Sequence, residues 1–86
     1  MDDAHMFNQL RVLLIECGKN KHDRAIVLIQ ALIENDINTR KRIRGAAVHL
    51  GMDPAHVIII LNRHEGTDPE RHYWKIDEEG NYNLLD

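Results

Sequence analysis

Along the first half of the chain, apolar residues recur at intervals of three and four, the repeat that gathers side chains on one side of an α-helix. Met6, Leu10, Leu13, Leu14 and Cys17 follow it. Phe7 and Ile15 widen that face, Asp2 or Asp3 is placed to cap the helix, and Gly18 to stop it. After the polar loop GKNKH, a second helix is predicted from about His22 to Asn35, with Ile26, Ile29, Leu32 and Ile33 on one stripe. Its ending, ENDIN, is turn-rich, and its single apolar residue, Ile37, is expected as a very short strand that pairs with a later hairpin. Asn38 or Thr39 then caps a third helix that runs to about Leu50 and breaks at Gly51. Asp53-Pro54 starts a fourth, because a carboxylate suits the N-cap and proline the first helical position, and Gly66 ends it after His64 or Glu65. Beyond the turn-rich TDPER, the repeat shortens to two. HYWKI and YNLL are strand candidates around DEEGN, with Trp74 and Ile76 on one face.

Eighty-six residues suit one small domain: an N-terminal helix (1–18), a three-helix core (22–66) and a hairpin (72–85). The longest apolar run, Val57 to Leu61, is far short of the roughly 20 residues that a membrane span needs. The opening MDDAHMF has no positive flank or apolar stretch of the signal-peptide kind, so a cytoplasmic protein is expected. A single cysteine, Cys17, has no internal disulfide partner and sits on the apolar stripe. The net charge of −3 is unevenly spread: residues 1–38 carry four basic and six acidic side chains, residues 39–64 five and one, and residues 65–86 two and seven. Basic charge concentrated on one segment is a hint of an anionic partner.

That basic segment contains a pair of helices joined at a glycine. Ala47 is a small residue in the first of them, Gly51 lies in the turn between Leu50 and Met52, and Val57 and Ile60 recur where the second would pack back. In this register, Ile43 to Asn62 resembles the helix-turn-helix of winged-helix proteins. The resemblance covers about residues 22–86, with the N-terminal helix as an addition. It implies a mostly helical fold with a small β-hairpin wing, a winged helix-turn-helix with an extra N-terminal helix, and a DNA-binding function. A tighter likeness, to the winged helices that bind Z-form nucleic acid, is rejected. Only Pro69 and Trp74 answer to that wing, and Ile58 and Asn62 stand where that family uses an asparagine and a tyrosine.

TRKRIRG puts Arg40, Lys41 and Arg42 on the first turn of the third helix, with Arg44 extending the patch. Cations there oppose the helix dipole, so stability alone would favour acids; free amides plus guanidinium groups suit a phosphate instead. The competing reading is a solvated face paired with Glu34 and Asp36. On the fourth helix, at about 100° per residue, Val57, Ile60, Leu61 and His64 fall on the core side, and Ala55, Ile58, Ile59 and Asn62 on the other. Base contacts would then fall to His56, Ile59, Asn62 and Arg63, a set poor in hydrogen-bonding groups. The outward isoleucines could equally meet the N-terminal helix, a second subunit or a protein partner. Acidic Asp77, Glu78 and Glu79 at the hairpin tip would be repelled by phosphates.

His49, His56, His64 and His72 lie too far apart for the tight ligand pairs of a zinc site, so no metal or other cofactor is expected. No glycine-rich phosphate loop or activated nucleophile stands out, so no catalytic residue is assigned and the chain is read as a non-enzyme. The sequence therefore points to a small transcriptional regulator that binds double-stranded DNA, with the N-terminal helix expected to cover apolar surface either of its own domain or of a second copy in a homodimer. The alternatives are a protein-interaction winged helix that binds no nucleic acid, and an RNA-binding one.

Overall fold

The computed structural model describes residues 3–85. Four helices and a two-stranded antiparallel hairpin follow in the order α1 (Asp3–Glu16), α2 (Lys21–Glu34), α3 (Arg40–His49), α4 (Pro54–Arg63), β1 (Trp74–Ile76) and β2 (Tyr82–Leu84). The chain is thus mostly helical with one small hairpin. No described helix is long and apolar enough to cross a membrane.

Local chemistry sets each helix boundary. The Asn20 side chain caps α2, accepting from the backbone N–H of His22 at 2.9 Å and of Asp23 at 3.3 Å, and so serves two amides that lack partners in the helix. This cap was hidden in the polar loop of the sequence. Thr39 caps α3 through Arg42 N–H, and Asp53 caps α4 through Ala55 N–H, with Pro54 at the first helical position. The expected cap on α1 falls on Asp2 and on the side chain of Asp3, which lie outside the described residues and side chains.

The C-termini of α2 and α3 close in the same way. After α3, Met52 N–H reaches Ala47 C=O at 2.9 Å and Gly51 N–H reaches Val48 C=O at 3.0 Å, with Gly51 at φ +75°. After α2, Ile37 N–H reaches Leu32 C=O at 2.9 Å and Asp36 N–H reaches Ile33 C=O at 3.1 Å. There the left-handed position is held by Asp36, at φ +63°. Both are Schellman closures, which need one residue at positive φ to turn back onto the last carbonyls.

Helix α2 is the centre of the packing: it contacts α1, α4 and β2, while α3 packs on α4. Leu28, Ile29 and Leu32 are wholly buried, each contributing about 1.5–3 kcal/mol by leaving water. Ala25 also points into this core, one turn before Leu28 and Ile29, and Ile26 lies only at its margin. From α1, Met6, Leu10 and Leu14 join the same core, so this helix covers apolar surface of its own chain. Its expected face was too wide. Ile15 is 77% exposed and Leu13 37%, because only one narrow side of α1 meets α2.

The hairpin is in register Trp74↔Leu84, Lys75↔Asn83 and Ile76↔Tyr82. Its loop is tightly specified: Asp77 Oδ1 accepts from Glu79 and Asn81 N–H, both at 2.9 Å, and Gly80 supplies φ +87°. Trp74 is fully buried and donates its indole N–H to Leu61 C=O at 2.8 Å, filling one of the unserved carbonyls at the end of α4. Ile76, expected beside Trp74 on a buried face, is 44% exposed. Trp74 packs at the start of β1 against the end of α4, whereas Ile76 is the last residue of β1, next to the exposed hairpin loop; Tyr82, across from Ile76 on β2, is buried where β2 lies over α2. The early pairing to the hairpin is also displaced from Ile37. Thr39 bridges Asn81, Tyr82 N–H donates to Asn38 C=O at 2.6 Å, and Ile37 instead enters the core.

Candidate nucleic-acid interface

The basic cluster stands where a capped helix begins. Thr39 Oγ1 takes the Arg42 amide, and Arg40, Lys41, Arg42 and Arg44 all have exposed side chains. Arg42 is tethered: its Nη1 donates to Asp36 C=O at 3.2 Å, so the left-handed residue that closes α2 also positions the first turn of α3. The pairing considered with the Glu34 and Asp36 carboxylates does not form. Among the described residues, the one ion pair within 4.0 Å is Arg71–Asp68 at 3.7 Å, on the exposed connection before β1. Lys41, Arg44 and the free part of Arg42 therefore present positive charge to solvent beside the positive end of a helix dipole. Arg40 is close enough to Tyr82 to act on its hydroxyl electrostatically, although burial is the larger effect and holds that hydroxyl above its ordinary pKa.

On α4, Val57, Ile60 and Leu61 are buried, as their spacing requires. His64 is half-buried at the end of the same side, where its imidazole meets Tyr73 and Trp74. On the outer side, Ala55, Asn62 and Arg63 are exposed and Ile59 is 54% exposed. Ile58 is half-buried against the core, so of the two outward isoleucines only Ile59 is open to a partner. His56 is placed differently from the other candidates. It is half-buried, its Nε2 is shut off from solvent without a hydrogen-bond partner, and it lines a cavity with residues of α2 and the α3–α4 turn.

That cavity, of about 350 Å³, is bounded by Lys21 and Arg24 from α2, Leu50, Gly51 and Met52 from the turn, and Asp53 and His56 from the start of α4. Lys21 and Arg24 are one turn apart on α2, a spacing that brings side chains together. Local sequence pattern does not link Lys21 and Arg24 to the others, since the lining comes from two stretches far apart in the chain, Lys21–Arg24 and Leu50–His56. The hairpin tip keeps Asp77, Glu78 and Glu79 exposed, with the Asp77 carboxyl held below its ordinary pKa chiefly by the Asn81 backbone amide.

Compared with known proteins, the chain matches no protein-family model, no curated protein and no solved structure. The functional reading rests on the geometry of the chain itself.

Proposed function

We propose that this chain is a winged-helix domain with an added N-terminal helix, that it binds double-stranded DNA, and that it acts as a small transcriptional regulator rather than as an enzyme. One observation carries the reading: Arg40, Lys41, Arg42 and Arg44 are exposed at the start of α3 and meet no carboxylate within 4.0 Å among the described residues. The first helix of a helix-turn-helix crosses the DNA backbone near this end, where side-chain cations and the helix dipole act on phosphate together. The α3–Gly51–α4 junction, with Ala47 buried between the helices, supports the helix-turn-helix assignment, and the following hairpin occupies the place of a wing. The acidic tip at Asp77, Glu78 and Glu79 would stay off the duplex.

Asn62, Arg63 and Ile59 are the base-facing set in this orientation, with Ile59 offering a methyl contact to thymine. So few hydrogen-bonding groups make the interaction mainly electrostatic. The exposed Ile59 favours one other reading, a protein partner that covers α4. Titration of labelled random duplex DNA at several salt concentrations tests the proposal. Binding that weakens steeply with salt supports it, and no binding at low salt rejects it. The same titration with duplex RNA assigns the nucleic acid.

A further inference from the structure

We infer that the groove between α1 and α3 and the acidic tip of the hairpin are the two halves of one self-complementary interface, so that the tip of one copy of this chain docks beside the basic turn of a second copy. The groove, of about 320 Å³, is lined by the apolar Phe7 and Ile37, by Gly45 and Ala46, and by Arg42 and His49, which stand two turns apart on α3. Through Arg42 it is continuous with the exposed cations Arg40, Lys41 and Arg44. It is an apolar recess with a positive rim.

Gly45 is an independent sign that this surface receives something from outside. It is exposed in the middle of α3, where glycine weakens a helix relative to alanine. Its φ is not positive, and a Cβ built on it meets nothing within 4 Å, so neither the backbone nor the packing of this chain requires glycine there. A side chain at this position would stand in the groove. Its absence leaves the way open to the apolar lining.

The hairpin carries the complement. Ile76 is 44% exposed and is followed at once by Asp77, Glu78 and Glu79, all exposed, so one short segment presents an apolar side chain and then three acids. Asp77 Oδ1 already holds the loop through Glu79 and Asn81 N–H, and little order has to be gained on docking. The Thr39–Asn81 bridge brings the hairpin up to the start of α3, yet none of these acids pairs with the basic cluster of its own chain within 4.0 Å among the described residues. Opposite charges left unpaired on one molecule are available to a second copy. Ile76 in the groove, with Glu78 and Glu79 against Lys41 and Arg42, forms an apolar centre with a charged rim, the anatomy of a protein interface. Because each copy carries both halves, the contact either closes into a two-fold dimer or repeats from copy to copy. Exposed ion pairs are individually weak and are screened by salt, so the association is salt-sensitive.

Sedimentation of the whole chain without nucleic acid, at low and at high salt, tests the inference. Average mass should rise with protein concentration at low salt, and added salt should reverse the rise. Glu78→Lys with Glu79→Lys, and separately Lys41→Glu with Arg42→Glu, should each weaken association by about tenfold or more, because like charges then face each other. An equimolar mixture of these two variants should associate again, since the reversed halves match. Gly45→Leu fills the groove without changing charge and should weaken association as well. Melting curves check that each variant is folded; the charge reversals lie at exposed positions, and acids at the start of α3 suit its dipole, so they decide the matter if Gly45→Leu fails to fold. A parent chain that stays monomeric up to about 1 mM at low salt, charge-reversed variants that associate as the parent does, or a mixture no heavier than its parts overturns the inference. A chain that associates in this way yet has no affinity for DNA leaves the interface standing and rejects the proposed function alone; a monomeric chain that binds DNA does the reverse.

Discussion

His22 Nε2 and His64 Nε2 meet at 3.1 Å, joining the first turn of α2 to the residue that ends α4. The contact requires one imidazole to donate its Nε2–H and the other to accept, so the pair holds one proton between the two nitrogens but not two. Tyr73 and Trp74 flank His64, with ring centroids at 4.9 and 6.1 Å. Burial lowers the His64 pKa below 6.5, and His22, Arg63 and His72 lower it further by their charge.

This arrangement makes stability depend on pH in a definite direction. The unfolded chain binds a proton at His64 more readily than the folded one, so the contribution is complete above pH 6.5, is lost as pH falls through the interval down to the folded pKa, and levels off below it. The urea midpoint should hold steady from about pH 8 to 6.5 and fall on further acidification, and His22→Ala should shrink the fall by removing one of the opposing charges. Identical acid profiles for the two proteins would show that the histidine contact plays no part.

The Trp74 indole is the anchor of the hairpin. Trp74→Phe keeps an aromatic ring in the core but leaves Leu61 C=O without its donor, which should cost about 1–3 kcal/mol for the orphaned carbonyl alone. Loss of hairpin order should accompany it, read by amide exchange of Lys75 and Asn83. A variant as stable as the parent would mean that water replaces the indole at no cost.

At Asp36 the expected effect is a gain. Its φ of +63° is unfavourable for a residue with a side chain, and glycine there relieves the strain while keeping the backbone carbonyl that Arg42 binds. Asp36→Gly should raise stability by about 0.5–1 kcal/mol, and Asp36→Val should lower it by more than that, because a β-branched side chain resists this conformation most. Thermal melts of the two variants compare them directly.

Helix positions and caps were legible in the sequence because they depend on neighbours in the chain. The stripes through Met6, Leu10 and Leu14 and through Val57, Ile60 and Leu61 could be read from spacing, as could Thr39 and Asp53 as caps. What spacing does not contain is which side of an element meets a distant one. Ile15 and Ile76 continue apolar patterns yet remain exposed, because α1 offers only a narrow side to α2 and Ile76 ends β1 beside the exposed hairpin loop. The Thr39–Asn81 pairing, the contact of His22 with His64 and the wall shared by Lys21, Arg24 and His56 all join separate segments, so none leaves a local signature. The basic cluster was legible as composition. Its lack of carboxylate partners was not, since Glu34 and Asp36 are close in sequence and still do not pair with it.

For DNA binding, Lys41 and Arg44 are cleaner probes than Arg42, which is also bonded to Asp36 C=O. If about three residues of the cluster neutralise phosphates, log affinity should fall with log salt at a slope of about −2.7, and Lys41→Ala or Arg44→Ala should each flatten it by about one unit. Folding should survive both substitutions, since the side chains are exposed and cations near a helix N-terminus are unfavourable. A slope unchanged in both variants would remove the cluster from the interface.

Ile59 separates the two readings of α4. It is 54% exposed, while Ile58 beside it is held against the core, so a substitution at Ile59 changes the outer surface with little effect on packing. Facing a duplex, Ile59→Arg adds a cation near phosphates and base edges, and affinity for random duplex DNA should be preserved or raised. Facing an apolar protein partner, the same substitution buries an unpaired charge, and association should weaken by several kcal/mol. The measurement is a DNA titration beside a sedimentation run on the same sample, with the melting temperature confirming that the variant is folded. Weaker DNA binding by a folded Ile59→Arg protein would turn the outer side of α4 away from the duplex and leave the basic turn of α3 to bind phosphates by itself.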